Sequence, residues 1–177
     1  GKLGGKAIGL CGKDAGLLTV VKKPLTKDGV DLGFVGNIVG VNVKLLELLS
    51  MDEYIPVIAP VGVDRDGKSY NINADTAASE IASALKAEKL MFLTDVDGIR
   101  LNAKDSSTLI SSISVSEINE LISSGVITGG MIPKVQGCVR AIEQGVKRVH
   151  ILDGTIPHPI LLEIFTDKGI GTMVHAD

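Results

Sequence analysis

Short apolar runs alternate with longer amphipathic stretches along the chain, and the change of period marks the elements. Ala7 to Cys11 and Leu17 to Val21 are apolar runs of strand length, and the turn-forming Gly12-Lys13-Asp14-Ala15-Gly16 between them predicts a hairpin. Pro24 to Gly40 is dotted with glycine and shows no period, which predicts irregular chain. Val41 to Leu49 carries apolar residues at 41, 45, 46, 48 and 49, a helical spacing, and Ile55 to Ala59 is a continuous apolar run of strand length. From about Ala74 to Lys86, residues Ala74, Ala77, Ala78, Ile81, Ala82 and Leu85 recur on one helical face, followed by a strand at Leu90 to Leu93.

Helix then strand recurs. Ser114 with Glu117 three residues on has the pattern of a capping box, opening a helix that ends near Gly125. Pro133 suits the first turn of the next helix, whose Val135, Cys138, Val139 and Ile142 have core spacing and which stops at Gly145. Arg148 to Leu152 predicts a strand, Pro157 to Thr166 a last helix, and Ile170 to Val174 a last strand. This alternation predicts an α/β fold, a three-layer sandwich with a mostly parallel central sheet flanked by helices, plus an N-terminal β-hairpin. A single domain is expected, with residues 1 to 40 as a hairpin appendage and no repeat or linker dividing the rest.

Composition narrows the core and the partners. With 45% hydrophobic residues, 3% aromatics and no Trp among 177 residues, the core must be built from Val, Ile, Leu and Ala. The net charge is −3 and the Lys and Arg residues are scattered, so there is no electrostatic footprint for nucleic acid. Charged residues interrupt every apolar stretch before about 18 residues, so no membrane span is expected. Cys11 and Cys138 form no Cys-x-x-Cys pair and no histidine sits beside them, so they are expected to be free thiols in a reducing, cytoplasmic compartment.

Two segments carry candidate chemistry. Asn71-Ile72-Asn73-Ala74-Asp75 sets two amides and a carboxylate where an apolar segment hands over to an Ala-rich helix, and a helix start binds anions and polar ligands through its free N–H groups and macrodipole. Residues 71, 73 and 75 alternate, so all three can face one pocket while Ile72 and Ala74 point inward. Each also has a plainer reading: Asp75 as a first-turn carboxylate, Asn73 as an N-cap, Asn71 as a turn residue. Gly129-Gly130-Met131-Ile132-Pro133-Lys134 repeats the design with a glycine pair and a cation one turn in, which suits phosphate. Lys134 as a solvated helix lysine is the plainer reading. Gly62-Val63-Asp64-Arg65-Asp66-Gly67-Lys68-Ser69 matches the G-x-x-x-x-G-K-[ST] pattern, but Asp64 and Asp66 would repel phosphate and no helix follows Ser69, so a hairpin turn is expected there. His150, His158 and His175 are dispersed.

The run Asn71 to Asp75, the run Leu93-Thr94-Asp95-Val96-Asp97-Gly98-Ile99 and the run Gly129 to Lys134 together resemble the amino-acid kinase family, and the likeness extends from Gly5 to Thr172. The branch it follows implies transfer of a phosphoryl group from ATP, with Mg2+, to the side-chain carboxylate of N-acetyl-L-glutamate in arginine biosynthesis. The resemblance implies that Asn71, with Asn73 beside it, binds the acceptor, that Asp75 orients catalytic lysines and that Lys134 neutralises the transferring group. It places the nucleotide on Thr94, Asp95, Ile127, Thr128, Met131 and Lys134. It further implies an arginine effector site at Lys86, His150, Glu163 and Gly169, and a homo-oligomer in the full-length protein. The family's N-terminal lysine and glycine loops are not matched, so the chain is expected to be the C-terminal, nucleotide-binding portion, inactive alone. Gly154-Thr155 departs from relatives that carry arginine after that glycine. An arginine-binding regulatory module and a sibling kinase for another acid are the alternatives.

Overall fold

A computed structural model describes residues 1–167 and 169–177. The chain divides into two compact units, Gly1–Ala84 and Leu85–Asp177.

The first unit contains β1 (Ala7–Cys11), β2 (Leu18–Lys22), β3 (Gly36–Val41), α1 (Lys44–Met51), β4 (Ile55–Ala59), β5 (Val61–Val63), β6 (Ser69–Asn71) and α2 (Ala74–Ala84). The expected hairpin between the first two strands is not formed. β1 pairs in parallel with β4, while β2 pairs antiparallel with β3 and, through Thr19 and Val63, in parallel with β5. A tight 3-10 turn at Asp14–Gly16, with Ala15 at φ 50, separates β1 from β2. The apolar runs were correctly placed, but their partners lie far along the chain, and local alternation does not encode a partner. Gly36 to Val41, inside the stretch expected to be irregular, is the strand that closes the hairpin with β2. Its glycines face Val20, Tyr70 and Thr19 at close range, which is why a segment of low strand propensity pairs here.

Residues 1–40, expected to form an appendage, supply some of the most deeply buried side chains of this unit. Leu17, Leu18 and Val20 pack with Leu46, Tyr70, Ile72 and Ala77. Full burial of each such aliphatic side chain contributes roughly 1.5–3 kcal/mol. β5 and β6 form an antiparallel hairpin across the Asp64–Gly67 turn, as the rejection of a phosphate loop required. The Asp64 carboxylate accepts the N–H groups of Asp66 at 3.0 Å and Lys68 at 2.8 Å, a use incompatible with cradling an anion.

The second unit contains β7 (Lys89–Thr94), β8 (Ser112–Ser114), α3 (Val115–Ser123), α4 (Met131–Glu143), β9 (Arg148–Asp153), α5 (Pro159–Phe165) and β10 (Thr172–His175). Its sheet has the order β7-β9-β10-β8, with β7 and β9 parallel, β9 and β10 antiparallel, and β10 and β8 parallel. The sheets are therefore mixed. β9 is buried along residues 149–152, and His150 faces α5 while its neighbours Val149 and Ile151 are fully covered on the opposite side of the strand. That two-sided burial is why the strand reads as a continuous apolar run. The capping box forms as expected: the Glu117 N–H bonds to Ser114 Oγ, and the Ser114 N–H bonds to the Glu117 carboxylate. Gly145, at φ 106, follows the end of α4 where a left-handed residue is needed.

Candidate functional site

In the second unit, β7 and β9 run parallel with Thr94 beside Asp153, so both strands end at the same edge. Ligands bind at that edge in open α/β sheets because the loops leaving the strands splay apart there. A cavity of about 400 Å3 opens at this place, lined by the loop Asp95–Arg100, Ala103, Val126–Thr128, Met131 and Asp153. Its volume suits a small organic ligand.

The structure brings four of the expected nucleotide residues, Asp95, Ile127, Thr128 and Met131, into this cavity. Thr94 stands just behind it. Its hydroxyl donates to the Val96 carbonyl at 3.1 Å and accepts the Val96 N–H at 3.0 Å, so it shapes the loop instead of lining the wall. Lys134 lies in the first turns of α4, half-buried, three residues after the Met131 that does line the cavity. α4 starts at Gly130 with no side-chain cap, and its first N–H groups reach back only weakly, Met131 to Thr128 and Ile132 to Gly129, each at 3.3 Å. A helix start without a cap leaves donors and the positive end of the dipole for a ligand.

The wall residues Val96, Asp97, Gly98, Ile99, Arg100, Ala103, Val126 and Asp153 went unassigned from sequence. Asp153 reaches this edge because β9 runs parallel to β7 and ends beside it, a pairing that the sequence does not encode. Gly98 is the back of the cavity: a Cβ there would run into Thr172 Oγ1 and Leu109. That threonine is fully buried, accepts the Ile99 N–H at 2.8 Å and donates to the Ile110 carbonyl at 2.6 Å. Asp153 accepts from the Thr155 hydroxyl at 2.7 Å and the Thr155 N–H at 2.8 Å, and these two bonds hold its carboxyl below the usual range.

Asn71, Asn73 and Asp75 belong to the first unit. Asn71 is in β6, Asn73 precedes α2 and Asp75 is in its first turn, and all three are exposed. Ile72 is buried as expected, but Ala74 is exposed and does not point inward. The N-cap reading of Asn73 holds: its Oδ1 accepts the Thr76 N–H at 3.0 Å.

Of the expected effector residues, three come together. His150 Nδ1 and Glu163 Oε1 are 2.7 Å apart, Glu163 Oε2 accepts the N–H groups of Ile170 at 2.7 Å and Gly171 at 3.2 Å, and a Cβ on Gly169 would meet that same oxygen at 2.6 Å. Burial alone would raise the Glu163 carboxyl, but the bonds from Ile170, His150 and Gly171 outweigh it and hold the group below its usual range. His150 Nε2 has no partner among the described residues. Lys86 lies apart from this cluster in the sequence, in a left-handed turn ahead of β7.

No helix among the described residues is long and apolar enough to cross a membrane. Among the same residues no group of three or more His, Cys, Asp or Glu could hold a metal.

The profile of the amino acid kinase family matches residues 2–153. The chain belongs to that family. It is 62% identical over 174 residues to the acetylglutamate kinase of Caldicellulosiruptor saccharolyticus, covering 97% of the chain and 59% of that protein. The acetylglutamate kinase of Desulforamulus reducens is 57% identical over 99% of the chain and 61% of that protein. The chain thus spans about three fifths of the curated relatives it matches. These matches do not support the expectation that it is their C-terminal portion. Among solved structures, the N-acetylglutamate synthase of Neisseria gonorrhoeae, complexed with coenzyme A and L-arginine, superposes with a TM-score of 0.82 at 28% identity over 98% of this chain and 38% of that one. The carbamate kinase of Giardia lamblia bound to AMP-PNP has a TM-score of 0.63 at 22% identity over 87% of this chain and 55% of that one, a likeness of fold.

Proposed function

We propose that this chain carries the nucleotide-binding part of an acetylglutamate kinase, in which ATP phosphorylates the side-chain carboxylate of N-acetyl-L-glutamate. The single observation that carries the reading is the cavity at the shared ends of β7 and β9, bordered by Met131 at the uncapped start of α4. The relatives named acetylglutamate kinase support the choice of acceptor over carbamate, aspartate or glutamate. An acceptor carboxylate oxygen attacks the γ-phosphorus, the bond from that phosphorus to the bridging oxygen breaks, and ADP leaves with the electron pair. The protein has little covalent work in such a transfer, so its groups position reactants and offset charge. Lys134 neutralises the transferring phosphoryl group, Asp75 orients the catalytic lysines, and Asn71 and Asn73 hold the acceptor. Asp95, Ile127, Thr128 and Met131 hold the nucleotide, Thr94 sets the loop, and Mg2+ enters as the MgATP complex. Assembly as a homo-oligomer in the full-length protein belongs to the same reading.

Calorimetry of ADP binding to the chain tests the nucleotide part, with Met131→Arg as the variant that fills the cavity. Binding lost in that variant supports the assignment, and no binding by the parent chain refutes it. ADP formation by a kinase containing this chain, compared across N-acetylglutamate, glutamate, aspartate and carbamate, tests the acceptor.

A second reading, arginine as an effector, is favoured by the cluster of His150, Glu163 and Gly169. The relative whose structure contains L-arginine supports it. A guanidinium would bond to Glu163 through charge-assisted contacts in exchange for His150, with Lys86 as the remaining proposed partner. Heat on mixing arginine with the chain, abolished in Glu163→Gln, is the expected result, and no heat in the parent refutes it.

A further inference from the structure

The cavity is lined by three carboxylates, Asp95, Asp97 and Asp153, and one cation, Arg100. That is an unfavourable balance for a ligand bearing phosphates, because an unpaired carboxylate in a partly desolvated wall repels an anion far more strongly than it would in water. Asp153 is turned onto Thr155, as described above. Asp97 is the carboxylate that Arg100 answers. The two side chains form a two-pronged pair, Arg100 Nε to Asp97 Oδ1 at 3.1 Å and the terminal nitrogen to Oδ2 at 2.7 Å, and they are only 27% and 28% exposed. The other terminal nitrogen donates to the Ala103 carbonyl at 3.3 Å. Three of the five guanidinium N–H groups are therefore directed at its own loop.

We infer that Arg100 is a positioning residue for nucleotide binding that acts through Asp97: it cancels the carboxylate in the cavity wall, and it does not grip a phosphate itself. This rests on the nucleotide reading given above. The planar fork is matched to a carboxylate, so its paired Nε and terminal N–H groups are spent on Asp97 and not on a ligand.

Calorimetric titration of ADP into the whole chain, at low and at high salt, separates the alternatives. Arg100→Met is expected to weaken ADP at least tenfold at low salt and less at high salt, because it exposes the Asp97 charge. Asp97→Asn alone is expected to tighten ADP severalfold, since Arg100 is then unopposed. The double variant Asp97→Asn with Arg100→Met is expected to return within about threefold of the parent, a rescue that neither a loop-ordering role nor a direct phosphate contact provides. An Arg100→Met loss that Asp97→Asn fails to restore overturns the inference, as does an unchanged affinity in Arg100→Met. Should Arg100→Met not fold, the tightening in Asp97→Asn decides the matter, and weaker or equal binding there overturns it. Absence of ADP binding by the parent chain is a different outcome, which removes the nucleotide reading and this inference with it.

Discussion

Two regions of the second unit hold carboxylates beside the same sheet, one on α5 and one on the loop after β7, and their surroundings differ in kind. Around Glu163 the hydrogen-bonding capacity is met from within the chain, by His150, Ile170 and Gly171, in a site only 7% exposed. Around Asp95 and Asp97 the loop opens into a cavity of about 400 Å3, and α4 begins beside it with no side-chain cap. The carboxylate group is shared and the role is not. A carboxylate already met by His150 and two backbone N–H groups is a fastening whose loss costs stability and which a ligand reaches only in exchange for a partner, whereas donors left open at a helix start are available to a ligand directly. The two helix starts repeat the contrast, since Asn73 closes the start of α2 and Gly130 leaves that of α4 open.

The largest effect expected concerns the back wall that keeps the open region in shape. Gly98→Val forces a branched side chain into Thr172 and Leu109 and should cost about 3 kcal/mol, read by urea unfolding. Little or no loss would mean that the wall is soft.

Glu163→Gln should cost about 2 kcal/mol at neutral pH, since it weakens three charge-assisted bonds at once. The sign with pH follows from the lowered carboxyl: its contribution is complete above the unfolded value near 4.5 and is lost as pH falls through the lower folded value. Unfolding curves of parent and variant should therefore converge in strong acid, and a gap that persisted there would deny the ionic character of the fastening.

Gly130→Asp places a carboxylate at the open helix start, where a Cβ meets nothing within 4 Å. Affinity for ADP should fall about tenfold, roughly 1.4 kcal/mol, while the helix gains a few tenths of a kcal/mol from the favourable charge at its N-terminus. Stability rising while binding falls is the signature of a start kept open for a ligand, and calorimetry with thermal unfolding reads both. The smallest effect belongs to the closed start: Asn73→Ala should lose about 1 kcal/mol of stability, and Asn73→Asp should retain most of it.

Much of this was legible in the sequence where the physics is local. The capping box at Ser114 and Glu117, the Pro133 helix start, the Gly145 stop and the Asp66-Gly67 turn all depend on residues within a few positions of one another. The proposed nucleotide residues Asp95, Ile127, Thr128 and Met131 came from the family resemblance, and only their surroundings, a strand end and a glycine-led helix start, are local features. Missed were Asp97 and Arg100, a pair three residues apart in a loop without periodicity, and Asp153, whose place depends on which strands are neighbours.

The sequence by itself determined the helices and the apolar strands, most of their buried faces, and where helices start and stop, because periodicity, caps and turn residues act over one or two turns of chain. Only the tertiary structure decided that β1 joins β4 instead of β2, that Gly36 to Val41 is a strand, that β10 runs against β9, and that His150, Glu163 and Gly169 meet. Those outcomes rest on pairings and close packing between residues far apart along the chain, where many partners satisfy the same local pattern and burial selects among them.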